Sequence, residues 1–272
     1  MLGGGATYAS AHWSTGPKTA RGVRMEERVT ADPLDADAWV VLLAEAAEQS
    51  PADYRPLYER CVSHFPSAAC VWYQWLEAEL RGRHLEQMEA IFERCLLHCP
   101  HVELWRLYLR FLRDMKGCAA KEIQSAYEVL LEAVGQDVGA GQLWVDFVSI
   151  LTQAVEPGSM PMSGAVTAAR DAYQRALVQP AMGLEAMWKD YELWETAQSG
   201  PQAKALLGEI ADRALVARRV ARERQARAAP LKLNRMPRVP RGTEAEFTEL
   251  GNWRAMWTYE ATNPRACPPT PP

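Results

Sequence analysis

The chain has 272 residues, 48% of them hydrophobic and 24% charged, with a net charge of −4. These are ordinary globular proportions, with room for one or two domains. No apolar run approaches the roughly 20 residues that a membrane-spanning helix needs, so no membrane association is expected. The six cysteines read as small core residues of a reducing compartment rather than as a disulfide framework, because Cys61 and Cys95 hold equivalent repeat positions.

Residues 1–31 contain Gly3-Gly4-Gly5, many Ala, Ser and Thr, and no periodicity. This predicts a disordered tail with Trp13 exposed. Lys18, Arg21 and Arg24 precede the first acid, Glu26. That weakly mimics a transit peptide, against which the glycines and the missing amphipathic stripe argue. Met25 is an alternative start.

From residue 32 a Trp-headed pattern recurs. Trp39 is followed by Tyr58 after 19 residues, and Trp72, with Trp75 at +3 and Glu79 at +7, by Phe92 after 20. Trp105, with Tyr108 at +3, is followed by Tyr127 after 22, and Trp144, with Phe147, by Tyr173 after 29. Trp188, Tyr191 and Glu195 open a fifth copy; Trp253, Met256 and Glu260 open a sixth. The Trp-to-Trp intervals are 33, 33, 39, 44 and 65 residues. A helical pattern with a period of roughly 30–45 residues predicts an α-solenoid of stacked helix pairs.

Positions 0, +3 and +7 share one helical face. The Trp and a facing Tyr or Phe on the second helix are expected to fill the space inside each pair. The +7 carboxylate occurs as Glu79, Glu195 and Glu260 but is replaced by Ala46, Leu112 and Leu151. Chemistry would not use some copies and drop others, so it reads as a hydrogen-bonding group inside a repeat. Ser50-Pro51-Ala52-Asp53 signals a helix start, Gly82 and Gly117 signal stops, and Pro66 and Pro100 mark joints. An insertion over Thr152–Gly164, containing Pro157, Gly158 and Pro161, reads as a surface loop.

The second helix of the fifth pair should run from about Pro201 to Ala228. Its end turns basic: Arg218, Arg219, Arg222, Arg224, Arg227, Lys232, Arg235, Arg238 and Arg241 face one acid, Glu223. Three readings stand for these cations: a solvated helix end pairing with acids, a protein contact, or a contact with RNA phosphates. No aromatic residue interleaves them, so stacking on bases is unsupported. Pro230, Pro237 and Pro240 predict an extended linker. The sixth repeat runs from about Glu246 through Trp253 to Asn263-Pro264, before Cys267-Pro268-Pro269-Thr270-Pro271-Pro272. No second helix follows, which suggests a truncated or alternatively terminated form.

Cys95, His98, Cys99 and His101 tempt a zinc reading, as do Cys61 and His64. Positions 95 and 98 repeat the register of 61 and 64, which helix packing explains. No phosphate-binding Gly-rich loop, Gly-x-Ser-x-Gly or His-Glu-x-x-His is present, so no catalytic residue, metal or cofactor is expected.

The Trp, +3 aromatic, +7 Glu pattern, followed by Tyr58-Glu59-Arg60-Cys61 or Phe92-Glu93-Arg94-Cys95, resembles the HAT (half-a-TPR) repeat family. The order of Leu34-Asp35-Ala36-Asp37-Ala38-Trp39, Leu104-Trp105-Arg106-Leu107-Tyr108-Leu109, Leu143-Trp144-Val145-Asp146-Phe147, Met187-Trp188-Lys189-Asp190-Tyr191 and Ala217-Arg218-Arg219-Val220-Ala221 is similar to the N-terminal HAT domain of the scaffold subunits of the cleavage stimulation factor. The resemblance implies an all-α fold: a right-handed α-α superhelix of about five HAT helix pairs plus an incomplete sixth. It divides the chain into a tail (1–31), a HAT domain (32–229), a basic linker (230–245) and a partial repeat (246–272).

It also implies a nuclear, non-catalytic scaffold of pre-mRNA 3′-end cleavage and polyadenylation. Its partners would be other cleavage stimulation factor subunits and polyadenylation proteins, with RNA contacted weakly or indirectly. In the family a second HAT domain forms a homodimer. This chain lacks nearly all of it and is expected to be mainly monomeric. Rival readings are a crooked-neck-like splicing factor, a direct RNA binder using residues 218–241, and a prenyltransferase α-like enzyme subunit. The last lacks support, because Trp39, Trp72, Trp105, Trp144 and Trp188 have no Asn-Tyr at −4 and −3.

Overall fold

The computed structural model describes residues 17, 19–156, 158–161, 163–262 and 264. The Gly3–Gly5 tract, Trp13, Lys18, Pro157, Asn263 and Cys267–Pro272 lie outside the described residues. Among the described residues there is no strand, and no helix is long and apolar enough to cross a membrane. The fold is all-α, built from antiparallel helices joined by short turns. The described residues divide into two compact units: those up to 104 with 232–241, and 105–231 with those from 242 on.

The first unit contains α1 (Ala20–Ala31), α2 (Ala36–Ala46), α3 (Pro51–His64), α4 (Ala69–Gly82) and α5 (Leu85–His98), each packed on the next. It also contains the first turn of α6 (Val102–Arg110). The expected tail is corrected here, because residues 20–31 are helical. Thr19 accepts a hydrogen bond from the Gly22 amide as N-cap, and its own N–H and hydroxyl donate to Glu45 on α2. Val29 is buried, which gives the helix the apolar anchor that a tail lacks. Pro51 starts α3, as its fixed φ suits the first turn. α4 ends at Gly82, but the left-handed residue is Arg83, with φ of 55°.

The second unit contains the rest of α6, which passes into a π-helical turn over Phe111–Met115, then α7 (Ala120–Val134), α8 (Gly141–Gln153), α9 (Gly164–Leu177), α10 (Leu184–Ser199), α11 (Ala203–Ala228) and α12 (Glu244–Ala261). From α7 to α12 each helix packs on its successor. Gly117, at φ of 64°, ends the π turn in the left-handed conformation that glycine takes without strain.

Most of the expected repeat core is buried: Trp39, Tyr58, Trp72, Trp75, Glu79, Phe92, Trp105, Tyr127, Trp144, Phe147, Tyr173, Tyr191 and Glu195. Three residues are corrections. Trp188 is only half-buried, since the inward stripe of α10 runs through Leu184, Met187, Tyr191, Glu195 and Ser199. Tyr108 is half-buried at the edge of Trp105, because Leu104, Leu107 and Leu109 take the covered positions. Trp253 is half-exposed, and α12 buries no residue at all.

Candidate functional site

The recurring side chains of the repeats meet inside each helix pair and at the seams between pairs. Trp39, Trp72 and Trp144 each face their own second helix, where an Arg two residues after the aromatic lies over the ring, and Trp188 is covered in the same way by an Arg of α11, a helix that carries no aromatic. Arg60 stands 4.9 Å from the Trp39 centroid, Arg94 5.5 Å from Trp72, Arg175 5.7 Å from Trp144 and Arg218 5.4 Å from Trp188. These are cation–π distances. Three of these Arg also reach back one repeat, Arg60 to Glu26, Arg94 to Glu59 and Arg175 to Glu128. Glu26 on α1 thus plays the part of Glu59, 33 residues later. By this measure α1 acts as the second helix of a preceding half-repeat. Trp39 and Trp72 each donate the indole N–H to a carbonyl at an inter-repeat proline, Pro33 at 2.9 Å and Pro66 at 2.8 Å.

Three of the second-helix aromatics, expected above to fill their own pair, meet the +3 ring of the following repeat. Tyr58 stacks on Trp75 at 5.8 Å, Tyr127 on Phe147 at 5.8 Å, and Tyr173 packs on Tyr191 at 5.0 Å. The +7 carboxylate is likewise a tie between repeats. Arg55 of α3 holds both oxygens of Glu79 on α4, at 2.8 and 2.7 Å. Arg170 of α9 holds both oxygens of Glu195 on α10, each at 2.8 Å. Both glutamates are fully buried.

Their surroundings complete the hydrogen bonding. Trp75 donates to Glu79 at 3.1 Å, and His84 reaches it through Nδ1 at 2.9 Å. A Cβ on Gly82 would stand 2.2 Å from the His84 ring, so glycine there lets the ring swing in. Ser199 donates to Glu195. Desolvation alone would raise both carboxyl pKa values. Hydrogen bonds from Arg55 and Trp75, and from Arg170 and Ser199, together with the Arg charges, outweigh it and hold both groups below the usual 4.5.

The tie follows an internal rule. Arg55 and Arg170 lie three residues before Tyr58 and Tyr173. Where the next repeat carries Leu112 or Leu151 at +7, that position is Glu89 or Gln124. The third pair, Arg224 with Glu260, joins α11 to α12 from another register, 36 residues apart instead of 24 or 25. Arg227 lies over Tyr259 at 4.0 Å beside it.

The basic segment is therefore largely committed. Arg218 covers Trp188, Arg224 and Arg227 hold α12, and Arg238 and Arg241 both pair with Asp37 on α2. The expected free linker instead folds back on the first helices of its unit, and Arg235 is also engaged. Arg219, Arg222 and Lys232 are exposed without a carboxylate partner among the described residues.

Burial pushes the Cys95 thiol up to about 12 and raises those of Cys61 and Cys99. Cys99 donates to the Ser67 carbonyl at 3.3 Å across a joint. Among the described residues no group of three or more His, Cys, Asp or Glu is placed to hold a metal ion. Sequence reasoning missed Arg55, Arg170, Glu26 and Asp37; the first two were legible from the Arg–Glu co-occurrence.

Helix pairs closed by Arg–Trp contacts and tied to their neighbours by inter-repeat Arg–Glu pairs define a HAT-type helical-repeat protein. A family model described as Suppressor of forked protein matches residues 20–270. The chain belongs to the Suppressor of forked family. It is 32% identical over 246 residues to Protein suppressor of forked from Drosophila melanogaster, covering 89% of this chain and 32% of that protein. It is 34% identical over 239 residues to Cleavage stimulation factor subunit 77 from Arabidopsis thaliana, covering 85% and 33%. It is 25% identical over 246 residues to mRNA 3′-end-processing protein rna14 from Schizosaccharomyces pombe, covering 89% and 34%. The chain spans about a third of the length of these relatives. The crystal structure of CstF-77 is similar in fold, with a TM-score of 0.51 and 19% identity over 58% of this chain and 34% of that one.

Proposed function

We infer that the chain is a non-catalytic scaffold of the nuclear pre-mRNA 3′-end cleavage and polyadenylation machinery. The observation that carries this reading is the seam. Its buried ionisable groups, Glu79 and Glu195, are ionised, fully hydrogen-bonded and tied to the neighbouring repeat. Such groups stiffen a surface and are not themselves poised for proton transfer near neutral pH. The names of its relatives, a cleavage stimulation factor subunit and 3′-end-processing proteins, support the same setting. Its partners are then other cleavage stimulation factor subunits and neighbouring polyadenylation proteins, and RNA contact is weak or indirect.

Tagged chain incubated in nuclear extract, recovered and quantified by mass spectrometry, tests the assignment. Enrichment of cleavage and polyadenylation proteins over spliceosomal ones is expected. Enrichment of spliceosomal proteins instead would favour a crooked-neck-like role.

A further inference from the structure

Residues Lys232–Arg241 form a non-helical strap that returns to the first helices of its own compact unit. Asn234 lies beside the N-terminal turns of α4 and α6, at a cavity of about 300 Å³ lined also by Ala69, Tyr73, His101, Glu103 and Leu104. Farther along, Arg238 reaches Asp37 in the first turn of α2 at 2.9 Å, and Arg241 reaches the same carboxylate at 3.0 Å. The strap thus passes the N-terminal ends of the first helices of three successive repeats, against the chain order. The lengths agree. Seven residues from Asn234 to Arg241 extend about 25 Å at most, and packed helices stand about 8–10 Å apart.

Along the strap Met236 is buried, while Leu233 and Val239 stand in solvent. The strap is therefore read by one apolar anchor and by two guanidiniums, at +2 and +5, on one aspartate. Its ion pairs are open to water: Arg238 is 50% exposed, Arg241 65% and Asp37 35%. Exposed pairs of this kind are screened and hold weakly. A displaceable peptide already seated shows what chemistry the row of helix ends accepts.

We propose that this row is a peptide-binding groove, occupied in cis by residues 232–241, which takes in trans an extended partner segment of the same chemistry. That segment carries an apolar residue followed by Arg or Lys at +2 and +5. Prolines such as Pro237 and Pro240 favour it, because they pre-set an extended backbone and lower the ordering cost. RNA does not fit, since Asp32, Asp35 and Asp37 at the α2 end repel phosphates.

The test uses the full chain and a fluorescent peptide of residues 231–242, read by anisotropy, with folding checked by circular dichroism. A tethered strap competes at an effective concentration on the order of millimolar. The strap-released variant R238E/R241E should therefore bind the peptide at least tenfold more tightly than wild type. The variant D37R should refuse that peptide and bind one with Glu at both Arg positions. Equal binding of the native peptide to wild type and R238E/R241E, binding to neither, or an unchanged charge preference in D37R would each overturn the proposal.

Discussion

Arg170 and Glu195 meet across the seam between α9 and α10 in a two-point ion pair, with the arginine side chain 11% exposed and the carboxylate fully buried. The equivalent Arg55 is more open, at 32%. The difference sets the first prediction. Removing one partner of a buried pair leaves an uncompensated charge, at a cost of about 3–5 kcal/mol. Arg170→Ala should reach the lower end of that range, because Glu195 would keep Ser199 as a donor. Arg55→Ala should cost only about 1–2 kcal/mol, as hydrogen bonds from Trp75 and His84 to Glu79 survive. Urea denaturation of both variants measures this, and equal losses would contradict the ranking.

Acid should reveal the same ties. Both glutamates have folded pKa values below the usual 4.5. Such groups stabilise the fold fully above the unfolded value, and that stability is lost as pH falls below about 4.5 toward the folded pKa. Wild type should lose stability in that window, and the double variant E79Q/E195Q should lose less. Denaturation midpoints between pH 3 and 7 check it; parallel curves would argue against ionised, tied glutamates.

The two kinds of head Trp should differ. Trp72→Ala removes a buried ring and should cost about 3–5 kcal/mol. Trp188 is half-buried beneath Arg218, and its replacement by Ala should cost about 1–2 kcal/mol, roughly in proportion to the apolar area it hides. Chemical denaturation of each single variant separates these values.

α12 is fixed by polar contacts and not by a core. Arg224→Ala removes its ion pair with Glu260, leaving Arg227 over Tyr259. A charged hydrogen bond is worth about 1.5–3 kcal/mol, so amide exchange in residues 244–261 should quicken about tenfold or more while α10 is unchanged. Hydrogen-exchange mass spectrometry reads this directly.

Nucleic acid should bind weakly. With Arg224, Arg227, Arg238 and Arg241 engaged, Arg219, Arg222 and Lys232 remain for phosphates. Three contacts give a log–log salt slope of about −2 for single strands. Anisotropy with labelled RNA should show sequence-independent binding at low salt and almost none at physiological salt. Tight, sequence-selective binding there would elevate the RNA-reader reading.

The amino-acid sequence by itself determined the repeat. The Trp, +3 and +7 spacing places three side chains on one helical face, because 3.6 residues complete a turn whatever surrounds the helix. The Arg–Glu ties were encoded too, since Arg55 and Arg170 appear where the next repeat has a +7 Glu and vanish before Leu112 and Leu151. Their direction was not, because a period gives equal support to contacts inside a pair and contacts to the next one. Only the tertiary structure decided that Tyr58 meets Trp75, that residues 20–31 gain a helix by packing on α2, and that Trp188 and Trp253 stay partly in water. It alone brought Arg241 to Asp37, 204 residues away. Local patterning reflects backbone geometry within a few turns. Such long closures depend instead on which surfaces the stacked helices leave side by side, and no spacing along the chain records that.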